Sequence, residues 1–263
     1  MIIHPPELYK YKPIASETEL ERVLQIIDNH EIYIPSYHQL NDPLESAGAY
    51  ISLAVAGAGN RAAMGEIGAI VDGYLSNYRI LSFSSVPDSP LMWAHYANDY
   101  CGCCLIFRAR KTFNEVLPVV YTDIQMLIHE ADFVSDEYDI DDAAHDSFLF
   151  KKKDWAYENE WRLIQKEEPG YLTYDSDELV GVLLGHKLEE NWAEQIIQSC
   201  RSHDIPCLKT KPAPRFSKIK FIPCCSRNDF KGCVWDEIDR AVRENTTLSQ
   251  ETKDLYRKMN SLI

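Results

Sequence analysis

Trp155-Ala-Tyr-Glu-Asn-Glu-Trp-Arg-Leu-Ile164 sets two glutamates and an arginine among large apolar side chains. Glu158 and Glu160 are two positions apart, so an extended segment projects both from one face and Tyr157 and Asn159 from the other. The spacing therefore predicts a paired-carboxylate site. The alternative interpretation is an edge strand with a solvated glutamate face.

Elements on either side of this stretch follow from hydrophobic periodicity and turn residues. A capping box at Ser16 and Glu19 opens a helix, and residues 147–156 are predicted to form a helix that leads into the stretch itself. A second long amphipathic helix is expected at residues 188–203, and residues 91–97 suit one or two helical turns. Strands are predicted at residues 8–11, 31–34, 79–85, 101–107, 117–121, 178–184, 206–210 and 218–222.

This pattern favours an α+β fold, because strands outnumber helices in the middle of the chain and do not alternate with them. We predict a single α+β domain over residues 1–233, with a helical insertion at 47–78 and an acidic loop at 130–142. A C-terminal helical extension follows at 234–263. No Gly-x-Gly-x-x-Gly or Gly-x-x-x-x-Gly-Lys motif occurs, which argues against a Rossmann dehydrogenase and a P-loop nucleotidase.

Composition indicates a soluble globular protein, with 45% hydrophobic and 26% charged residues among 263. No apolar run reaches the roughly 20 residues that a membrane span requires, and no secretory signal opens the chain. We therefore expect a cytoplasmic location and no membrane partner. The net charge of −14 disfavours sequence-independent adhesion to nucleic acid. Local basic faces remain possible at residues 151–153 and 209–220, and a solvated face is the alternative.

Cysteine and histidine spacing does not predict a metal site. The eight cysteines do not form the two Cys-x-x-Cys pairs that close a structural zinc site, so free thiols that pack as small apolar residues are expected. Among the cysteines, Cys224, Cys225 and Cys233 are the strongest candidates for metal ligands. The histidines lack the helical spacing of a metal pair and are interpreted as structural; the four considered are His95, His145, His186 and His203.

Several motifs together resemble a known family. They are Leu8-Tyr-Lys-Tyr11, Leu40-Asn-Asp-Pro-Leu-Glu45, Leu91-Met-Trp-Ala-His-Tyr-Ala97 after Phe83-Ser84, and the Trp155 to Ile164 stretch. This combination resembles the bacterial and phage family catalogued as domain of unknown function 2971, over about residues 8–222. The family label implies no activity.

The order of the blocks also resembles the more distant ADP-ribosyltransferases of the DarT type, which implies a mixed or antiparallel sheet core with flanking helices. By that resemblance Glu160 is the catalytic glutamate at the start of a late strand, and Glu158 orients or deprotonates the acceptor. Trp93 or Tyr96 would stack on nicotinamide, with core packing as the alternative, and Lys10 or Arg162 would meet the pyrophosphate. The remaining expected NAD contacts are Tyr9, Ser82 and Ser84. Lys10 stands where those enzymes have His or Arg.

The resemblance implies an enzyme that takes NAD as substrate, without a metal, to modify a macromolecule or to hydrolyse the cofactor. The role would be that of a toxin or anti-phage effector, with nucleic acid among the possible acceptors. A non-catalytic interaction or sensor domain on the same fold is the alternative, and it predicts Glu160 paired with Arg162 or a lysine. A metal-dependent nuclease is the third possibility.

Overall fold

The computed structural model describes residues 4–41, 51–52, 73, 75–123, 128–129, 145–166, 170–213 and 218–224. The predicted insertion at 47–78 lies mostly outside these residues, and the acidic loop at 130–142 and the extension at 234–263 lie wholly outside them. The chain divides into two compact units. The first unit comprises Met1–His4, Ile32–Ser84 and Thr112–Thr173, and the second comprises Pro5–Glu31, Ser85–Lys111 and Tyr174–Ile263.

The structure gives bounds for three α-helices and fourteen strands. In chain order they are β1 (Glu7–Lys12), α1 (Glu17–Asn29), β2 (Glu31–Tyr33), β3 (Ile51–Ser52), β4 (Tyr78–Ser84), α2 (Pro90–Tyr96), β5 (Cys103–Arg108), β6 (Leu117–Pro118), β7 (Val120–Thr122), β8 (Ile128–His129), β9 (Phe150–Lys152), β10 (Glu160–Lys166), β11 (Tyr171–Thr173), β12 (Leu179–Leu184), α3 (Glu190–Ser202), β13 (Cys207–Ala213) and β14 (Lys218–Pro223). Short 3-10 helices occupy Tyr37–Gln39, Lys111–Phe113 and Lys153–Glu158.

Strands in the second unit follow the order β14-β13-β12-β5-β1. Only β12 and β13 run parallel, and the other neighbours are antiparallel. The predicted α+β class, with mostly antiparallel pairing, is therefore confirmed. Among the described residues, no helix is both long and apolar enough to pass through a membrane.

Helix α1 begins where the capping box predicts. The Glu19 amide donates to Ser16 Oγ at 3.3 Å, so this amide of the first turn gains an acceptor. The Glu19 carboxylate in turn accepts from the amide of Ala15, just before the N-cap, at 2.6 Å. The buried stripe is Leu20, Val23, Ile26 and Ile27. Leu24, next to this stripe, is only half-buried.

A tight turn after α2 brings the backbone of the second unit very close to itself. Asn98, Asp99 and Tyr100 all have positive φ, at 47°, 52° and 69°. Residues other than glycine rarely adopt this backbone conformation. The turn is held because Lys187 N donates to Tyr100 O at 3.1 Å and Gly185 N donates to Gly102 O at 2.8 Å. A Cβ atom on Gly185 would overlap the Tyr100 carbonyl.

Replacing Gly185 with alanine is therefore expected to destabilise the protein by about 3 kcal/mol, because the added methyl meets backbone on a fixed turn. The free energy of unfolding, measured with urea, checks this. Gly73 is the matched control, since nothing lies within 4 Å of a Cβ built there, and its alanine variant should change stability by under about 1 kcal/mol. Equal stability of the two variants would contradict the close approach.

The first unit is organised around β10, which pairs antiparallel with β4 on one side and β6 on the other. Strands β7 and β9 form a parallel pair beside it. An apolar cluster of Tyr37, Leu75, Tyr78, Ile80 and Phe148 packs in this unit.

The helix predicted at 147–156 is wrong. From Phe150 onward this segment forms β9 and then a 3-10 helix. In β9 the buried Lys151 is followed by the exposed Lys152, which is the alternation expected of a strand.

Candidate functional site

Four charged side chains are buried together in the first unit, and we call them the charge cluster: Lys151, Glu158, Glu160 and Arg162. Their side chains are 2%, 4%, 6% and 1% exposed, respectively. Burying a charge is costly unless it is paired and hydrogen-bonded. Two cations and two carboxylates in contact satisfy that requirement, so the cluster is neutral as a whole.

The backbone conformation that places Glu158 and Glu160 near each other differs from the one that their spacing in the sequence predicted. Glu158 ends a 3-10 helix, and Asn159 adopts the left-handed conformation with φ 45° and ψ 52°, which Asn tolerates better than most residues. Strand β10 begins only at Glu160. The prediction that both glutamates lie on one extended segment is therefore wrong, and they meet instead through Lys151.

Lysine 151 bridges the two carboxylates. Its Nζ lies 2.5 Å from Glu158 Oε2 and 3.1 Å from Glu160 Oε2, and it also lies 5.0 Å from the centre of the Trp155 ring. The interpretation of residues 151–153 as a solvated basic face is thus wrong for Lys151.

Arginine 162 holds the other side of Glu160. The two residues share a face of β10, and Nε and Nη2 of Arg162 donate to the two oxygens of Glu160 at 2.8 and 2.9 Å. Nη1 donates to the Phe148 carbonyl at 2.6 Å. Two parallel bonds from a guanidinium fix the carboxylate in both distance and orientation. The alternative of a solvated glutamate face is therefore wrong.

Two serines on β4 support the cluster from the neighbouring strand. Ser84 lies opposite Glu160 and Ser82 opposite Arg162 in the antiparallel register. Ser84 Oγ donates to the Glu158 carbonyl at 2.6 Å, and Ser82 forms a side-chain hydrogen bond with Glu160. The first unit thus brings together five of the predicted site residues, namely Glu158, Glu160, Ser82, Ser84 and Arg162.

The surroundings of Glu160 keep it ionised. Burial by itself raises the pKa of this carboxyl, but the charges of Arg162 and Lys151 and the hydrogen bonds from Arg162 and Ser82 outweigh burial. The pKa of Glu160 is therefore held well below its ordinary value. Tyr121, whose hydroxyl accepts from the Glu160 amide at 2.9 Å, has its pKa raised by burial and stays neutral.

Acid should weaken the fold through Glu160. A carboxyl whose pKa is depressed on folding contributes stability above its unfolded pKa of about 4.3, and this is lost as the pH falls toward the folded pKa. We expect the free energy of unfolding to drop more steeply below about pH 5 for the natural protein than for Glu160→Gln, which has no carboxyl there. Urea titrations at several pH values measure it, and parallel pH profiles would contradict it.

The other predicted contacts belong to the second unit. Tyr9 is buried on β1, where its hydroxyl donates to Glu7 Oε2 at 2.6 Å. Trp93 is fully buried, donates from Nε1 to the Pro87 carbonyl at 2.8 Å, and stacks on Tyr100 with ring planes 7° apart. The side chains of Tyr9 and Trp93 are therefore part of the core of the second unit. The half-buried Lys10 and Tyr96 lie on β1 and α2.

The sequence analysis missed Lys151 and Tyr121 as site residues. Lys151 stands in a Phe-Lys-Lys-Lys run, where the alternation of a strand could have suggested one buried lysine among exposed ones. The hydroxyl of Tyr121 reaches the cluster because β7 lies beside β9, and no local pattern carries that information.

Residues 92–163 match the family model described as protein of unknown function (DUF2971). The matched segment includes α2, β5 and all four residues of the charge cluster. The resemblance to this family is therefore confirmed over residues 92–163, whereas the motifs at residues 8–11 and 40–45 lie outside the match. The family description states no activity. No curated protein and no solved structure matches the chain.

Proposed function

We propose that this protein is an ADP-ribosyltransferase-like enzyme that takes NAD as its substrate. It modifies a macromolecule or hydrolyses NAD, and it acts as a toxin or anti-phage effector. The observation that supports this most directly is Glu160 at the first residue of β10, ionised and fixed by Arg162, with Ser82 and Ser84 beside it.

The chemistry needs an anion that is already in place. Breaking the bond between nicotinamide and ribose develops positive charge on the sugar, as glycoside cleavage does. A carboxylate that is ionised and oriented beforehand stabilises this charge without reorganising during the reaction. Glu160 meets both conditions, since its pKa is lowered and its two oxygens are held by Arg162.

The same geometry divides the roles within the charge cluster. A general base works best with a pKa near the operating pH, so Glu160, with its lowered pKa, serves as an electrostatic stabiliser and not as a proton acceptor. Glu158 is the second carboxylate and is proposed to orient or deprotonate the acceptor. The resemblance implies that Arg162 meets the pyrophosphate, but its guanidinium donates hydrogen bonds to Glu160 and to the Phe148 carbonyl. We therefore assign Arg162 as a residue that positions Glu160.

A ribose hydroxyl can bond Glu160 only if one present donor gives way. Lys151 Nζ bonds this carboxylate at 3.1 Å, a longer distance than either bond from Arg162, and Lys151 has Glu158 as a second partner at 2.5 Å. We therefore assign Lys151 as the donor that substrate displaces.

Release of nicotinamide from NAD tests the proposal. The purified chain is incubated with NAD, alone and with DNA, RNA or a protein mixture as acceptor, and nicotinamide is quantified by chromatography. Removing the charge in Glu160→Gln should lower the rate by about 10²- to 10³-fold, the usual effect of losing one preorganised group. The exposed Glu115 of the same unit gives the matched control, Glu115→Gln, which should keep the full rate.

Rates are normalised to the folded fraction measured by circular dichroism, because Glu160→Gln also disturbs the charge cluster. Ser82→Ala offers a milder variant, which removes one hydrogen bond to Glu160 and keeps its charge, and a partial loss is expected. Nicotinamide release by folded Glu160→Gln at the natural rate would remove Glu160 from the mechanism.

A non-catalytic interaction or sensor domain is the second candidate, and one observation favours it. Glu160 forms ion pairs with both Arg162 and Lys151, and its oxygens accept hydrogen bonds from each. This arrangement is expected of an ion network whose role is purely structural. This alternative predicts no nicotinamide release with any acceptor, together with strong destabilisation by Glu160→Gln. A metal-dependent nuclease has no such support, since the described residues contain no group of three metal-ligand side chains.

A further inference from the structure

A pair of thiols closes the open end of the β13–β14 hairpin in the second unit. Cys207 begins β13, and Cys224 directly follows β14. The Cys207 thiol donates to Cys224 Sγ at 3.8 Å, and the Cys224 amide donates to the Cys207 carbonyl at 3.1 Å. The two residues are thus in register, one step beyond the pair Leu208 and Pro223.

This register places the two thiols within disulfide reach. Residues that face each other in a hydrogen-bonded antiparallel pair have Cα atoms about 5.5 Å apart. Disulfides span Cα separations of roughly 4.4 to 6.8 Å. The bond could therefore form with side-chain rotation and little movement of the backbone.

The two thiols differ in access and in acidity. Cys207 is 3% exposed, and hydrogen bonds with Cys200 and Cys224 together with burial raise its pKa. Cys224 is half-buried; the hydrogen bond from Cys207 and the charge of Lys209 lower its pKa despite burial. A thiol that is reachable, acidic and next to a second thiol is the arrangement found at redox-sensing cysteines.

We propose that Cys224 is an oxidation site for hydroperoxides and that Cys207 resolves the oxidised product into an intramolecular disulfide. The Cys224 thiolate attacks one peroxide oxygen, the O–O bond breaks, and the other oxygen leaves with a proton as water or alcohol. The sulfur is then a sulfenic acid. The Cys207 sulfur attacks it, loses its proton, and the hydroxyl group leaves as water. The peroxide is reduced, and the two thiols are oxidised to one disulfide.

Peptide mapping after peroxide treatment tests this on the full chain. The reduced protein is exposed to hydrogen peroxide, blocked with an alkylating agent and digested with trypsin. Cleavage at Arg201, Lys209, Lys220 and Arg227 separates the two cysteines, since Cys207 falls in residues 202–209 and Cys224 in residues 221–227. We expect a cross-linked pair of these peptides, lighter than their sum by two hydrogen atoms and absent after reduction.

Variants assign the roles. Cys225, whose structure lies outside the described residues, shares a peptide with Cys224, so Cys225→Ser is the matched control and should still give the cross-link. Cys224→Ser should give none. In Cys207→Ser the sulfenic acid cannot be resolved, so Cys224 should be labelled by dimedone several-fold more than in the natural protein.

Two results would overturn the proposal. One is a cross-link or dimedone label that survives in Cys224→Ser and disappears in Cys225→Ser or in Cys101→Ser, the latter testing another half-buried thiol. The other is oxidation of Cys224 to sulfinic acid in the natural protein with no cross-link to Cys207.

Discussion

Replacing Arg162 with methionine is expected to lower the free energy of unfolding by about 3–5 kcal/mol, the usual cost of removing one partner of a buried ion pair. The variant loses both bonds to Glu160 and the bond to the Phe148 carbonyl, and methionine fills much of the vacated volume. The charge cluster would then hold two carboxylates and one cation. Urea denaturation at neutral pH measures the difference.

The control is Arg110→Met. Arg110 also pairs with a carboxylate, that of Asp177 at 2.9 Å, but both side chains are largely exposed, at 43% and 50%. Water compensates such charges, so the loss should be far smaller than at Arg162. The double variant Arg162→Met with Glu160→Gln should recover part of the lost stability, because no unpaired charge remains on Glu160. Equal losses at Arg162 and Arg110 would show that burial does not govern the strength of this cluster.

Local signals predicted most elements of the fold. Ser16 and Glu19 set the start of α1, and the strand predicted at residues 79–85 corresponds to β4. These features depend on neighbours one to four residues away. The segment at 147–156 failed because its periodicity was interpreted as helical, whereas Lys151 is buried by contacts with Glu158 and Glu160. Those contacts outweigh local preference.

The sequence predicted which residues form the candidate site but not how they are arranged. The sequence identified Glu158, Glu160 and Arg162 as chemically important, and all three lie in one cluster. It could not predict that Asn159 adopts the left-handed conformation, because only a small fraction of such residues do so. It also gave no signal that Lys151 would neutralise the carboxylates, since charge balance inside a fold depends on which strands become neighbours.

Replacing Lys151 with methionine should be about as damaging as the Arg162 change, with a loss of about 3–5 kcal/mol at neutral pH. Its Nζ contacts both carboxylates, so the variant leaves Glu158 and Glu160 close together with Arg162 alone to neutralise them. Lys152 provides the matched control, because it is adjacent and exposed. Lys152→Met should change stability by no more than about 0.5 kcal/mol.

The pH dependence of Lys151→Met separates charge from packing. Two buried carboxylates that share one cation repel each other, so protonation of one of them stabilises the folded variant. A carboxyl that binds its proton more tightly when folded gives stability at low pH that is lost as the pH rises. The difference in free energy of unfolding between the natural protein and Lys151→Met should therefore become smaller as the pH is lowered from about 7 to about 5. Lys151→Met with Glu158→Gln should already be more stable than Lys151→Met at neutral pH, and its stability should vary less over that interval. If this difference in free energy of unfolding does not change with pH, Lys151 stabilises the fold through packing of its aliphatic stem and not through its charge.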